Sequence, residues 1–177
     1  MNESSESPVM VERPRAKKMV KEKSLRDRVL SLKKGGEAVV NERILLNTMI
    51  TSITEIVVAL GKGRRESAYQ LALKIELVRQ NFLPLSIEHP IPVMYKGERV
   101  SIGYLDILVL GFFFIECKAV SRLSDKDLLQ TMAYSRDMGL LGVLINFNQK
   151  LPKKNSKTPE FEIVFIRGNE IITHHSA

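Results

Sequence analysis

The alternation of apolar and polar positions divides the chain beyond residue 41 into predicted helices and strands. Apolar residues recur on one helical face between Asn41, the expected N-cap, and Gly61, the expected end. A second helix is predicted over residues 65–81 and a third over residues 124–139. The third helix is expected to bury its apolar side chains, namely Leu128, Leu129, Met132 and Ala133.

Continuous apolar stretches predict strands that are buried on both faces of a sheet. Phe112–Lys118 is one such strand and residues 140–147 are another. Pro90 and Pro92 within the extended segment 84–95 predict an edge strand, because proline cannot donate to a strand ladder. Further strands are predicted at 99–107 and in a closing hairpin of 161–166 and 171–173. We therefore expect an α/β fold, with a central mixed β-sheet flanked by helices in the order roughly α-α-β-β-β-α-β-β.

Composition places the chain in an ordinary class. Its 177 residues suit one domain, and 44% hydrophobic with 27% charged residues is typical of a globular protein. The single cysteine excludes an internal disulfide, so we expect a reducing intracellular compartment, nuclear or cytoplasmic. The polar N-terminus does not resemble a signal peptide, and we expect no apolar stretch of membrane-spanning length and no membrane partner.

The positive charge is concentrated near the N-terminus. Between Arg13 and Lys34 there are ten Lys or Arg residues against two acids, a local balance of +8. Because the whole chain carries +7, the remainder carries −1. We expect residues 1–40 to form a basic arm, either flexible or helical over about 19–32, and residues 41–177 to form the domain. Such an arm can bind phosphate backbones, act as an import signal or only aid solubility.

The sequence also predicts a pair of carboxylates at one edge of the sheet. Because strand side chains alternate, Glu116 and Lys118 project to one side and Cys117 to the other. A turn at residues 109–111 folds the preceding strand back, so that Asp106 lies near Glu116. Two close carboxylates raise one pKa unless a divalent cation lies between them, and magnesium prefers such oxygen ligands. A structural ion-pair network is the alternative, although these three groups sum to −1 and do not neutralise one another.

These residues resemble a known superfamily. The arrangement D-(x)9-E-x-K formed by Asp106, Glu116 and Lys118, with Gln130-x-x-x-Tyr134 on the following helix, is similar to that of the PD-(D/E)XK metal-dependent nucleases. More narrowly, the chain resembles the GxxExxY proteins of that superfamily. The motifs that carry this resemblance are Gly63-Arg-Arg-Glu66-Ser-Ala-Tyr69, Pro92-Val-Met-Tyr-Lys-Gly97, Gly103-Tyr104, Glu116-Cys-Lys-Ala-Val120 and Gly142-Val-Leu-Ile-Asn-Phe147.

The resemblance implies a restriction-endonuclease-like core and a Mg²⁺- or Mn²⁺-dependent nuclease, with DNA the expected substrate and RNA the alternative. It implies metal ligation by Asp106, Glu116 and the backbone carbonyl of Cys117, with Glu66 in or near the metal's shell. Lys118 would position the attacking water and stabilise the developing charge. The resemblance implies that Gln130 orients substrate, with Tyr134 as a further contact. Positive charge, rather than the resemblance, suggests contacts of Arg64, Arg65, Lys17 and Lys18 with the nucleic-acid backbone, where Arg64-Arg65 replaces the family's usual apolar pair.

Alternatives stay open for several of these residues. Glu66 in a first helical turn is also explained by the helix macrodipole, and Gln130 with Tyr134 by a solvated helix face. Asp106 follows Gly103-Tyr104 after one residue where the family pattern has two, so a bulge or turn must restore its direction. Rival hypotheses are a nuclease-fold protein that binds nucleic acid without cutting it, and a subunit whose arm mediates assembly, including a homo-oligomer.

Overall fold

The structure, a computed structural model, describes residues 23–36, 38–151 and 160–177. Its helices and strands follow one another along the chain with short connections. In order they are α1 Leu25–Val29, β1 Leu30–Leu32, β2 Ala38–Val40, α2 Glu42–Leu60, α3 Glu66–Arg79, β3 Leu85–Tyr95, β4 Glu98–Val109, β5 Phe113–Lys118, α4 Asp125–Met138, β6 Leu141–Phe147, β7 Phe161–Arg167 and β8 Glu170–Ser176.

The described part of the segment before α2 differs from both expectations, a flexible arm and a helix over about 19–32. The helix α1 ends at Val29, and β1 pairs with β2 as an antiparallel hairpin. Val29 and Leu30 are both buried in the main core, whereas Leu32 is 65% exposed. The pairing of Leu30 with Val40 in the hairpin takes the place of the last turn of the predicted helix. The predicted arm up to residue 22 lies outside the described residues.

The helices α2 and α3 begin and end close to their predicted limits. Asn41 caps α2, its side-chain oxygen accepting a hydrogen bond from the Ile44 N–H at 3.2 Å. Gly61 ends α2 with a φ of 64°, a conformation that glycine adopts without strain. In α3 the buried residues are Tyr69, Leu73 and Leu77. Capping chemistry therefore delimits α2, whereas α3 has no side-chain cap and follows from its apolar spacing.

Among the described residues, α2 is the one helix long and apolar enough to cross a membrane by length and composition. The expectation that no apolar stretch reaches this length is wrong for α2. One such helix is weak evidence for a membrane, because apolar core helices meet the same test. Leu45, Met49 and Ile53 of α2 are fully buried in the core, which accounts for its apolar character.

The described strands β3 to β8 form one six-stranded mixed sheet in the order β3-β4-β5-β6-β7-β8. Neighbours are antiparallel except β5 and β6, which are parallel and connected through α4. The predicted mixed sheet and the edge position of β3 are confirmed. The predicted closing hairpin forms two strands, β7 and β8. The described sheet therefore has six strands, one more than the five in the expected element order.

The sheet has helices on both faces. One face packs against α2 and α3 and includes Ile115 and Cys117, and the other packs against α4 and includes Phe114. Strand alternation therefore directs Glu116 and Lys118 toward the face covered by α4.

The helix α4 has the predicted cap, and Leu128 and Met132 of its predicted inward face pack against the core. Ser124 and Asp127 form a reciprocal capping box, and Gly139 ends the helix in a left-handed conformation. Leu129 is 64% exposed, so its predicted burial is wrong. Thr131 and Ser135 are buried instead, each donating its hydroxyl to a backbone carbonyl, of Asp127 at 2.9 Å and of Leu140 at 2.6 Å. Small side chains that satisfy their own polar groups let α4 approach the sheet closely.

Candidate metal centre

Asp106 and Glu116 lie opposite each other on adjacent strands. The last antiparallel pair between β4 and β5 at this end is Ile107 with Ile115, so the next position on each strand is Asp106 and Glu116. The Asp106 Oδ2 accepts a hydrogen bond of 2.7 Å from the backbone N–H of Cys117. The carboxylate therefore takes the place of the next ladder partner, and holds Asp106 beside the end of β5.

Glu116 is a buried carboxylate that is only partly satisfied. It is 2% exposed, and among the described residues its Oε1 has no hydrogen-bond partner. Burial raises its pKa from 4.5 to about 8, the neighbouring Asp106 charge adds to the rise, and the Lys118 ammonium opposes it. An unpartnered buried carboxylate oxygen is costly, so this position requires a proton or a cation.

Lys118 lies on the same side of β5 as Glu116. Its Nζ is 4.0 Å from Glu116 Oε2, and its side chain is 17% exposed. This separation is at the outer limit of an ion pair rather than at hydrogen-bond distance. Lys118 therefore offsets part of the negative charge and leaves its ammonium available to a neighbouring group.

Glu66 reaches the same strand end from α3. Its Oε2 accepts a hydrogen bond of 3.2 Å from the backbone N–H of Ala119. Burial raises its pKa, Lys118 lowers it, and the charge of Asp106 raises it. The helix macrodipole alone does not account for this placement, because the side chain spans from α3 to the end of β5. Glu66 thus joins Asp106, Glu116 and Lys118 in one electrostatic cluster.

Two backbone N–H groups at the end of β5, two residues apart, donate hydrogen bonds to two of these carboxylates. Cys117 donates to Asp106 and Ala119 donates to Glu66, at the edge of β5 that β4 no longer covers. The N–H and C=O of a strand residue face the same neighbour, so the Cys117 carbonyl is directed toward this edge too. Each of the two carboxylates uses one oxygen for the strand, which leaves its other oxygen for a further partner.

A break in strand alternation brings Asp106 to this edge. Ile107 packs on the α2 and α3 face of the sheet, whereas Leu105 packs in the cluster on the α4 face. Residues two apart share a face in a regular strand, so the alternation of side chains in β4 is interrupted between Leu105 and Ile107. Because of this interruption, the short spacing between Gly103-Tyr104 and Asp106 is compatible with the site.

Gln70 is a residue of this site that the sequence reasoning missed. Its side-chain Nε2 donates to the backbone carbonyl of Asp106 at 3.4 Å. Gln70 lies four residues after Glu66 on α3, and so on the same helical face. That spacing is the signal that could have found it.

Comparison with protein families identifies the chain. A family model described as the PD-(D/E)XK nuclease superfamily matches residues 43–158, well over half of the sequence. The chain belongs to the PD-(D/E)XK nuclease superfamily. The matched range contains Glu66, Asp106, Glu116 and Lys118. Searches of the curated proteins and of the solved structures find no match.

The predicted helix residues Gln130 and Tyr134 lie on α4, which covers the Glu116 face. Gln130 Nε2 donates to the Tyr134 hydroxyl at 3.1 Å. The Tyr134 ring packs edge-on against Phe114, and a Cβ added at Gly103 would lie 2.8 Å from its hydroxyl oxygen. Tyr134 is therefore a partly buried packing residue that holds Gln130, and Gly103 provides the space for its ring.

The remaining predicted contacts are less closely tied to the cluster. Arg64 and Arg65 are exposed directly before Glu66, and Arg64 Nε donates to the Leu60 carbonyl at 3.2 Å. Lys17 and Lys18 lie outside the described residues. The Tyr69 ring stacks on Phe147 with centroids 4.5 Å apart, and its hydroxyl donates to the Gly61 carbonyl at 2.7 Å. Tyr69 is thus a packing residue, as expected, but its hydroxyl is committed to Gly61 rather than to the site.

The donor set fits a divalent cation in chemistry, although the side chains do not close around one point. Members of the superfamily generally use divalent metal ions. Within residues 23–36, 38–151 and 160–177, no group of three or more His, Cys, Asp or Glu side chains is arranged to hold an ion. The unpartnered Oε1 of Glu116 is nevertheless a hard oxygen donor of the kind that Mg²⁺ and Mn²⁺ take.

Proposed function

We propose that the protein is a nuclease that hydrolyses phosphodiester bonds with Mg²⁺ or Mn²⁺, on DNA in preference to RNA. The observation that carries the proposal is the buried Oε1 of Glu116, which has no partner among the described residues and lies in a cluster with other carboxylates. A purely structural ion pair would satisfy that oxygen. A nuclease centre leaves it for a cation.

The charge of the cluster supports a bound cation. Asp106, Glu116 and Glu66 carry three negative charges when ionised, and Lys118 offsets one of them. Burial raises the pKa of each of the three carboxyls, and the charge of Asp106 further raises the pKa of Glu66 and of Glu116. A divalent cation would neutralise the remaining charge and return these carboxyls to their ionised forms.

The residues that would hold the cation are Asp106, Glu116, the Cys117 carbonyl and Glu66. When bound, the ion supplies a Lewis acid that activates water and neutralises phosphate charge. Lys118 would hold the attacking water by a hydrogen bond and stabilise negative charge that develops on the phosphate. Gln130, fixed by its bond to Tyr134, would orient the substrate backbone.

Within the superfamily, we propose that the chain is a GxxExxY protein. Gly63, Glu66 and Tyr69 occupy the positions that name this group. Gly63 donates its N–H to the Gln149 side chain at 2.6 Å, Glu66 bonds the end of β5, and Tyr69 packs in the core. Gly63 also has a φ of 84°, which favours glycine, so each residue of the motif has a physical reason for its type.

Nucleic acid is the proposed partner, and the basic residues are its proposed contacts. Arg64 and Arg65 adjoin Glu66, and Lys17 and Lys18 belong to the segment that gives the chain its net charge of +7. Contacts to phosphate release counterions, so binding should weaken steeply as salt rises. We keep an intracellular, reducing location within this proposal, because Cys117 is buried and unpaired.

A nicking assay tests the proposed activity. Supercoiled DNA, linear DNA and RNA of matched sequence are incubated with Mg²⁺, Mn²⁺ or a chelator. Wild type should cut DNA faster than RNA and only with a metal, while Glu116→Ala should be inactive. Equal cutting by wild type and Glu116→Ala would assign the activity to a contaminant.

A nucleic-acid-binding protein without cleavage activity is the second candidate. The open arrangement of the carboxylates favours it, because no ready-made ion site exists among the described residues. Salt-sensitive DNA binding by wild type, with no cutting under any metal, would establish this function.

An assembly role for the N-terminal segment is tested by a deletion of residues 1–22. The deletion ends there because Val29 and Leu30 are buried in the main core. A loss of oligomers by light scattering, with unchanged DNA binding, would assign assembly to the segment. A loss of DNA binding with unchanged mass would assign it to nucleic-acid contact.

A further inference from the structure

The ladder between β3 and β4 is interrupted opposite the candidate metal centre. Ile87 pairs with Ile107 and His89 pairs with Leu105, but in the described ladder Glu88 and Asp106 between them are not paired. The register is the same on both sides of the gap. The interruption is therefore local, and one of the two residues in it is a proposed metal ligand.

In both strands, the apolar side chains on the two sides of this gap pack on opposite faces of the sheet, whereas regular alternation would place them on one face. On β3, Leu85 and Ile87 pack on the α2 and α3 side, whereas Ile91 packs on the α4 side. On β4, Ile107 and Leu105 divide in the same way. Since residues separated by an even number share a face in a regular strand, the hairpin rotates at Glu88 and Asp106 as a unit.

The backbone of Glu88 accounts for the rotation. Its φ is +46°, in the left-handed region that residues with a side chain rarely occupy. A hydrogen bond of 3.3 Å joins His89 Nδ1 to Ser86 Oγ across Glu88. In a regular strand these two side chains would be on opposite faces, so this contact independently supports a kink at Glu88.

Because of the rotation, the backbone carbonyl and the carboxylate of Asp106 have hydrogen-bond partners outside β3. Its backbone carbonyl accepts from Gln70 of α3, and its carboxylate accepts from the Cys117 N–H of β5. In a regular ladder, the side chain would instead project perpendicular to the sheet and away from the strand edge. The kink is what directs the carboxylate along the sheet toward β5.

We propose that Glu88 is a positioning residue, whose left-handed backbone directs the Asp106 carboxylate to the end of β5 where the cation binds. The cation rests on the proposed function, whereas the placement of Asp106 does not. Backbone strain of this kind persists where the surrounding structure enforces it, and it is common at functional sites. The proposal therefore concerns the conformation of Glu88, not its charge.

A pair of substitutions separates conformation from charge. Glu88→Gly and Glu88→Val both remove the carboxylate, but glycine favours a positive φ and a β-branched residue opposes it. Mn²⁺ binding is measured by calorimetry, and the Asp106–Cys117 bond by the NMR shift and exchange protection of the Cys117 amide. Glu88→Gly should keep the amide signal of wild type. Both variants lose the Glu88 charge, which acts on Asp106, so Mn²⁺ affinity is compared between the two variants. Glu88→Val should lose amide protection and bind Mn²⁺ about tenfold more weakly than Glu88→Gly.

Glu98 supplies a matched control on the same hairpin. It is an exposed glutamate of β4 and is not among the described residues with a positive φ. Glu98→Gly and Glu98→Val should both leave the Cys117 amide and the Mn²⁺ affinity unchanged. Glu98→Val should be the more stable of the two, because β-branched residues favour strands. At position 88 the glycine variant should be the more stable, because the positive φ favours glycine.

The outcomes separate this inference from the proposed function. Equal Cys117 protection and Mn²⁺ affinity in Glu88→Gly and Glu88→Val would overturn the positioning role. If Glu88→Val does not fold while Glu88→Gly does, Glu88→Ala takes its place and must weaken the amide protection. A wild type that binds no Mn²⁺ would overturn the metal centre, while the Cys117 amide would still decide the role of Glu88.

Discussion

The Asp106 carboxylate accepts a 2.7 Å hydrogen bond from the backbone N–H of Cys117, on the neighbouring strand. One of its oxygens is therefore fixed to the protein, and its charge is held beside Glu116. Burial raises the pKa of Asp106, the Cys117 hydrogen bond and Lys118 lower it, and Glu88 raises it. The bond thus partly compensates a carboxylate that the site keeps away from water.

The substitution Asp106→Asn should remove the charge and retain the bond, because an amide oxygen can accept from the Cys117 N–H. We expect loss of Mn²⁺ binding and a fall in the pKa of Glu116, since the Asp106 charge helps to raise that pKa. Carboxyl-carbon NMR titration measures the fall. Asp106→Ala is the control, and loses about 1.5–3 kcal/mol of stability with the bond. An unchanged Glu116 pKa in Asp106→Asn would contradict the coupling.

The pKa of Glu116 predicts how stability depends on pH without metal. The folded pKa is about 8 and the ordinary value is 4.5, so between these values the folded protein holds a proton that the unfolded chain has released. Rising pH then favours unfolding, by up to about 1.4 kcal/mol per pH unit. This contribution to stability is complete below about pH 4.5 and is lost as pH rises to about 8.

Urea denaturation at pH 5, 7 and 9 in the presence of a chelator measures this effect. Glu116→Gln, which cannot titrate, should be less sensitive to pH and more stable than wild type at pH 9. Saturating Mn²⁺ should reduce the difference in wild type, because the cation favours the ionised carboxylate. A parallel pH dependence in both proteins would mean that Glu116 is not the titrating group.

The sequence predicted those features that depend on periodic or local signals. Asn41 and Gly61 delimit α2 by capping chemistry, and the apolar residues of β5 and β6 predicted central strands. Strand alternation then sufficed to group Glu116 with Lys118. These features follow from neighbours in sequence, so a single chain reveals them.

Other features depend on tertiary contacts that no local pattern records. A glutamate at φ +46° has no sequence signature, because Glu88 favours other conformations and only the fold enforces this one. The bond from Gln70 to Asp106 joins residues 36 apart, and the hairpin β1–β2 depends on burial of Val29 and Leu30. The exposure of Leu129 likewise reflects which face of α4 the sheet selects.

The contribution of Lys118 to DNA cleavage should be separable from metal binding. The substitution Lys118→Met removes a positive charge 4.0 Å from Glu116 Oε2, so Mn²⁺ should bind as tightly as to wild type or more tightly. DNA cleavage should fall by about 10²-fold or more, because a group that stabilises transition-state charge is lost. Calorimetry and a single-turnover nicking assay measure the two effects. Weaker Mn²⁺ binding in Lys118→Met would instead make Lys118 a structural support for the carboxylates.

The close contact between Gly103 and Tyr134 predicts a steric coupling. A Cβ at Gly103 would lie 2.8 Å from the Tyr134 hydroxyl oxygen and 2.9 Å from its Cε1, closer than such atoms pack. Gly103→Ala should therefore displace the ring, break its bond with Gln130 and cost about 1–3 kcal/mol, measured by chemical denaturation.

A double-mutant cycle tests whether Tyr134 is the obstacle. In Tyr134→Ala, the further change Gly103→Ala should cost almost nothing, because the ring is absent. In Tyr134→Phe the cost should be intermediate, since the hydroxyl is gone but Cε1 stays 2.9 Å from the new methyl group. Equal costs in all three backgrounds would mean that Gly103 is needed for its backbone and not for the space it leaves. The graded result would instead assign Gly103 to the seating of α4, and so of Gln130, over the Glu116 face.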